Sequence, residues 1–396
     1  MTTAVIVDAV RTAIGARNGR LAGWHPTDLA AEVLAALALR NDLDPAVVDD
    51  VVLGCVTQYG EQAMNVARNA VLAAGWPDSV PGVTVDRQCA SSEQAVHFAA
   101  QAVIAGACEV VVAGGVESTS ATPLGTSVTL GTRPFGPRII ERYADRGGLV
   151  PQGVAAERVA ERWSLSRDEL DAYAATSIER AGRAAREGRF RPEIVPVQVR
   201  TRDRETGQLA VLEDHLLVAD EGGPVASPDE LAELRPAFVP DGRVTAGNSA
   251  PVGDGAAAVL IMSEERAARL GLRPLARFHA FATAATDPVA MFTGAVPATA
   301  KVLERAKLAL RDVDVVEVNE AFASVVLAWA ADLDADLDRV NPNGGAIALG
   351  HPLGAAGARL LTTLVHELDR AGGRYALQAM SAAGGVATAL VIERLT

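Results

Sequence analysis

An α/β fold built from two similar halves, with a loop-rich insertion between them, is what this 396-residue sequence predicts. Three observations lead there. Strand-like and helix-like segments alternate near both ends of the chain, a stretch rich in Gly, Pro and Arg interrupts them, and each half contains a strand, a tight small-residue turn and a long Ala-rich helix.

Residues 4–8 form a short apolar strand, and Leu29, Val33, Leu34 and Leu37 recur at helical spacing. Residues 51–56 read as a buried strand with β-branched side chains, 61–74 as helix, and 82–85 as strand. Cys89 and a helix to about residue 105 follow, then a strand at 110–113. Such alternation implies a mostly parallel sheet with helices on its faces.

Residues 119–244 differ in texture, as in TPLGTSVTLGTRPFGPR and EGGPVASPDE. Two helices stand out there, 153–162 and 167–188, the second opened by a Ser166–Glu169 capping box. Loops of this length are usually functional. Strand character resumes at 255–262. A helix near 299–310, a strand at 313–318, a helix after Asn319, a helix at 357–369 and strands at 375–380 and 386–393 complete the chain. The paired units are VTVDRQCASSEQAVHFAAQAVIAG and VNPNGGAIALGHPLGAAGARLLTTLVHEL. Their shared order predicts a pseudo-dyad that brings the two turns together. The domains are then 1–118 with 245–271, the insertion 119–244, and 272–396.

Composition narrows the function. The net charge of −13 makes a poor nucleic-acid surface, although a local Arg cluster can still receive an anionic substrate. Aromatic residues are only 4%, and Ala, Val, Leu and Gly suit close helix-on-sheet contact. The N-terminal apolar run, bounded by Asp8 and Arg11, reads as a strand rather than a signal peptide, and no stretch is long enough to span a bilayer. Cys55, Cys89 and Cys108 lack metal-like spacing, which implies reduced thiols in a cytoplasmic protein with no metal site. No nucleotide-phosphate loop or nicotinamide motif occurs.

Cys89 sits between a strand end and a helix start. Ser91 and Gln94 fit a capping box, so the thiol is expected just before the first turn, where a helix N-terminus favours anions and lowers its pKa. Cys55 and Cys108 lie in or beside apolar runs and read as small buried hydrophobes. His351 lies in GGAIALGHPLGAAGA, where glycines allow close backbone approach and Pro352 stiffens the turn. Its ring is placed to take a proton from Cys89 or to bond a thioester oxygen. His25, His97, His215, His279 and His366 lie outside such a turn and read as structural. Asn319, before an apolar helix, is explained on its own by an ordinary helix N-cap.

Taken together, QCASS at Cys89, VTAGN with DGAAAV at 244–259, NEAFA at 319–323 and NPNGGAIALGHPLGAAGA at 341–358 resemble thiolases, the acetyl-CoA acyltransferases. DAVRTAIG and LRPAFVPDG resemble them too, and the likeness runs nearly end to end in order and spacing. It implies a five-layer αβαβα fold of two halves and a loop domain that holds coenzyme A. It implies acylation of Cys89, activation by His351 and a water held by Asn319 in an oxyanion hole. Coenzyme A and its acyl thioesters enter as substrates, with no permanently bound cofactor. A homodimer or homotetramer is implied as well, without nucleic-acid or membrane partners.

The sequence departs from the family at one telling place. Thiolases usually carry a second cysteine in a C-x-G-G-G turn near the C-terminus, and here that turn reads SAAGG, with Ser381 at the cysteine's position. Cysteine titrates near about 8.5 in model peptides, whereas a serine hydroxyl seldom shuttles a proton without an adjacent base. The family's α-carbon proton transfer is therefore expected to be slow unless another group performs it. Ser249 and Ala250 fall where a serine often meets the coenzyme, Gln152 where many biosynthetic members carry Met, and Phe322 within NEAFA beside the acyl region. The pattern is most like bacterial thiolases of fatty-acid and sterol breakdown, which implies thiolytic cleavage of a 3-ketoacyl-CoA. A specialised acyl transferase, a decarboxylative condensing enzyme and an impaired acyl-CoA-binding protein are the alternatives that Ser381 raises.

Overall fold

The computed structural model describes residues 2–128, 134–203, 205–222 and 227–395. Parts of the two loop stretches quoted above, at 129–133 and 223–226, lie outside the described residues. The first half runs β1 (Ala4–Thr12), α1 (Pro26–Arg40), β2 (Asp50–Gly54), α2 (Val66–Ala73), β3 (Gly82–Val85), α3 (Ser91–Ile104) and β4 (Val110–Ser118). The insertion contributes α4 (Gln152–Arg162) and α5 (Arg167–Arg186), and β5 (Gly253–Ser263) returns to the core. The second half runs β6 (Ala276–Ala285), α6 (Ala295–Ala306), β7 (Val315–Val318), α7 (Ala323–Leu333), α8 (Ala356–Ala371), β8 (Tyr375–Ser381) and β9 (Val386–Arg394).

Strand order exposes the duplication. The path is β7-β8-β9-β6-β1-β5-β4-β2-β3. In the first half β3, β2 and β4 are mutually parallel, while β5 is antiparallel to both β4 and β1. In the second half β7 and β8 are parallel, β9 is antiparallel to β8 and β6, and Val340 bridges β7 in parallel where β3 would lie. The halves meet where β1 pairs antiparallel with β6, Val5 opposite Arg277. The sheet is thus mixed, which corrects the mostly parallel expectation. Each half closes with an antiparallel pair, because β5 and β9 return beside the first strand of their own half.

Three apolar clusters define the layers. Leu29, Val33 and Leu37 of α1 and Val66 and Ala70 of α2 cover one face of the first half-sheet. Val96, Ala99 and Val103 of α3 pack with Leu361, Leu364 and Leu368 of α8 between the half-sheets. Val302 of α6 and Val326 and Trp329 of α7 cover the outer face of the second. The order is αβαβα: an outer helix such as α1 buries one apolar stripe, whereas α3 and α8 of the central layer are buried on most sides. The insertion is more structured than a loop. Its α5 carries the predicted Ser166–Glu169 capping box, and Val197–Arg202 pairs with Leu209–Leu217 as a hairpin.

At the centre the two Ala-rich helices start side by side. A Cβ on Gly357 would stand 2.4 Å from the Glu93 amide, and one on Gly115 would stand 2.1 Å from the Gly354 carbonyl. Only glycine permits that approach, so the His351 turn rests directly on the first half's strand ends. Ser92 Oγ also accepts a 2.9 Å bond from the Ala358 amide.

Candidate active site

Cys89 caps a strained turn. Gln88 has φ of +51°, and Ser91 Oγ staples the turn by accepting from the Arg87 amide at 2.9 Å and donating to the Gln88 carbonyl at 2.5 Å. The expected Ser91–Gln94 capping box is absent, because α3 begins at Ser91 itself and Ala90 occupies the cap. The sulfur is buried and packs with Leu353 of the His351 turn and with Met380 and Ala382 at the end of β8. Its own backbone N–H and that of Ala383 face it. The expected lowering of its pKa is overturned. Burial pushes the thiol up to about 12 and the carboxylates of Glu117 and Asp86 add to it, against the two amides. Cys89 therefore rests as a neutral thiol faced by two backbone donors.

His351 is anchored by its backbone, which donates to Pro251 O at 2.8 Å and pairs with Val252. Both ring nitrogens are buried and make no hydrogen bond within the chain. Burial, aided by the nearby Arg359 guanidinium, lowers its pKa to about 4. The ring is a neutral base near pH 7.

Asn319 follows β7, and its amide donates to Ala379 O at 3.1 Å. It is not a helix cap: α7 starts at Ala323, with Phe322 at the cap. Its carboxamide is buried with both polar atoms unbonded, like the His351 ring. The adjacent Glu320 has a different task. It accepts from Tyr173 and Ser177 at 2.8 Å each, from Asn341 at 2.9 Å and from the Ile347 amide at 3.1 Å, which ties α5 and the NPNGG loop to the end of β7.

Ser381 lies buried at the end of β8. Its hydroxyl donates to Phe292 O at 2.7 Å and accepts from the Ala295 amide at 2.9 Å, holding the start of α6. The substrate-binding candidates gather nearby. Phe322 packs edge-on against Phe238 and Phe292, with ring centroids 5.9 and 5.4 Å away. Gly153, next to Gln152 at the start of α4, lies flat against the Phe238 ring. Ser249 pairs with Phe322 through the backbone, and its hydroxyl donates to Thr245 O at 2.6 Å, while the Ala250 amide bonds Ala321 O at 3.1 Å. At these two positions backbone, rather than a free hydroxyl, shapes the wall.

Sequence reasoning missed Ala383, Glu117 and Phe292. Ala383 acts through its amide, which no side-chain pattern reports. Glu117 accepts from the amides of Val56, Thr57 and Gly354 and from Gln62, and so fastens the Cys55 loop to the His351 turn. Among the described residues no group of His, Cys, Asp and Glu is arranged to hold a metal ion, and no helix is long and apolar enough to cross a membrane.

Comparison with known proteins gives the family. The thiolase N-terminal domain model matches residues 4–265, and the thiolase C-terminal domain model matches residues 272–394. A steroid 3-ketoacyl-CoA thiolase of Mycobacterium tuberculosis is 49% identical, over 100% of this chain and 95% of that one. A 3-ketoacyl-CoA thiolase of Bacillus subtilis is 40% identical, over 99% of this chain and 100% of that one. The crystal structure of the Bacillus anthracis acetyl-CoA acetyltransferase superposes with a TM-score of 0.88 at 38% identity, covering 100% of this chain and 99% of that one. With both halves matched from residue 4 to residue 394, the chain belongs to the thiolase family.

Proposed function

We propose that this protein is an acyl-CoA acyltransferase that cleaves 3-ketoacyl-CoA thiolytically through an acyl-Cys89 intermediate. The observation that carries it is a buried neutral thiol faced by two backbone N–H groups and packed with Leu353 of the turn that bears a neutral, unbonded imidazole. His351 takes the thiol proton as sulfur attacks the keto carbon, since a thiolate, not a thiol, is the nucleophile. The amides of Cys89 and Ala383 stabilise negative charge as it develops. The Asn319 carboxamide and the imidazole have unspent hydrogen-bonding capacity for a second oxyanion, the thioester enolate of the leaving acetyl-CoA. Coenzyme A then removes the acyl group from sulfur, so one difficult carbon–carbon cleavage becomes two covalent steps.

The aromatic set Phe238, Phe292 and Phe322 supports an apolar acyl group, and the activities of the relatives support 3-ketoacyl thioesters from fatty-acid or sterol degradation. Exposed Met64, Leu72 and Val83, at or beside the edge strand β3, support a homodimer or homotetramer. Three unpaired cysteines support a cytoplasmic location. Intact-mass spectrometry after exposure to 3-ketoacyl-CoA tests the reading: the acyl adduct maps to Cys89. An adduct that persists in Cys89→Ala refutes it.

A further inference from the structure

We propose that this chain carries out both proton transfers with one group, the imidazole of His351, and that Ser381 is a latch in the wall of the site rather than a proton donor. The proposal rests on the thiolytic reading above and goes beyond it by assigning the step that the family's second cysteine would perform.

The Ser381 hydroxyl is committed at both ends. Its proton goes to Phe292 O and its oxygen receives the Ala295 amide, in a residue only 2% exposed. Giving that proton to a substrate carbon would strip a buried carbonyl of its partner and leave a buried alkoxide, which neither of its two neutral backbone partners would compensate as a cation does. What the two bonds do is mechanical. They tie the end of β8, which leads to the Ala383 amide, to the segment carrying Phe292, which packs on Phe322.

Other ionisable groups near the sulfur are unsuited. Both Glu117 oxygens are occupied by four donors. Asp86 is exposed and accepts from the Gln88 amide at 2.6 Å. Cys55 is fully buried, with its thiol held protonated by burial and by Glu117. His351 alone among these combines burial, neutrality and two ring nitrogens without a partner, and Arg359 is the charged group whose field reaches it.

The steps balance with one carrier. The Cys89 proton passes to His351 as the S–C3 bond forms. The C2–C3 bond then breaks with its electron pair to C2, and the imidazolium returns the proton to C2, releasing acetyl-CoA. In the second half, the coenzyme A thiol gives its proton to His351 and its sulfur bonds the acyl carbon. The Cys89 S–C bond breaks with its pair to sulfur, which recovers the proton.

Deuterium exchange into the methyl group of acetyl-CoA, followed by NMR in D2O, isolates the carbon proton transfer. In Cys89→Ala, which cannot be acylated, exchange should persist, and it should fall at least tenfold when His351→Asn is added. Adding Ser381→Ala instead should leave exchange within about threefold while lowering the unfolding midpoint. Loss of exchange with Ser381→Ala in protein that still binds acetyl-CoA would overturn the proposal. So would survival of exchange without the imidazole, or its absence in Cys89→Ala that binds acetyl-CoA. Should Ser381→Ala fail to fold, the His351→Asn comparison still decides. Mass spectrometry of the wild-type protein separates the two levels: if Cys89 is never acylated the thiolytic reading falls, whereas acylation with imidazole-independent exchange removes only the single-carrier scheme.

Discussion

Arg11 and Asp220 form a bidentate ion pair in the interior, with nitrogen–oxygen distances of 2.6 and 3.0 Å, although they are 209 positions apart in the chain. The same guanidinium bonds Glu193 at 2.7 Å, and Asp220 also accepts from the Ile14 amide at 2.8 Å. One residue of β1 thus clamps two points of the insertion onto the core. Arg11→Met would leave two buried carboxylates uncompensated, and breaking such a pair from one side costs about 3–5 kcal/mol. Urea unfolding should show that loss. A change below about 1 kcal/mol would mean that the insertion is held by its apolar contacts instead.

Acid should weaken the fold through His351. The unfolded imidazole binds a proton below about pH 6.5, whereas the folded one does so only below about 4. Between those values the unfolded state holds more protons, so stability rises with pH and is lost as pH falls through the window. The full loss is roughly 3 kcal/mol. Denaturant melts of the wild type and His351→Asn between pH 7 and 4 should diverge by that order, with the wild type falling faster. Parallel curves would mean the ring is solvated in the folded protein.

Why some of this was legible and some was not follows from particular residues. The strand at Gly82–Val85 and the paired turn-and-helix units are local signals, set by periodicity and small residues, and the structure bears them out. The strand Ala276–Ala285 escaped notice because ARFHAFATAA has few β-branched residues. It is a strand because β1 and β9 pair with its two edges, which is a tertiary fact. Ser91 and Gln94 have capping-box spacing, but the helix starts one residue too early for it and Ser91 turns back to the Cys89 loop. The thiol's pKa failed for a related reason. Sequence shows the nearby helix start but not the burial, and burial is the larger effect. Cys89, His351 and Asn319 can be proposed from sequence because their side chains carry the motif.

The Glu320 hub predicts an intolerant glycine. A Cβ on Gly345 would lie 2.3 Å from the Glu320 carboxyl carbon. That carboxylate cannot yield without losing its bonds to Tyr173, Ser177, Asn341 and the Ile347 amide. Gly345→Ala should therefore cost about 2–3 kcal/mol, although the added group is one methyl. Glu320→Gln should be damaging as well, since it sets an NH2 group against at least one donor. A Gly345→Ala protein with wild-type stability would show that the hub moves as a unit.

Glu117 lets position and charge be separated. Its carboxylate accepts four hydrogen bonds, including 2.9 Å from the Gly354 amide, three residues beyond His351. Its charge also raises the Cys89 thiol, second to burial among the raising causes. Glu117→Gln nearly preserves shape and removes the charge. Stability should fall by about 1–3 kcal/mol, because an amide nitrogen meets donors where an oxygen accepted them. The thiol should meanwhile become easier to ionise, so iodoacetamide alkylation of Cys89 at pH 8 should accelerate as thermal stability drops. Alkylation that slows together with stability would mean that Glu117 acts on the sulfur by placing the two turns, and that its charge is screened from Cys89.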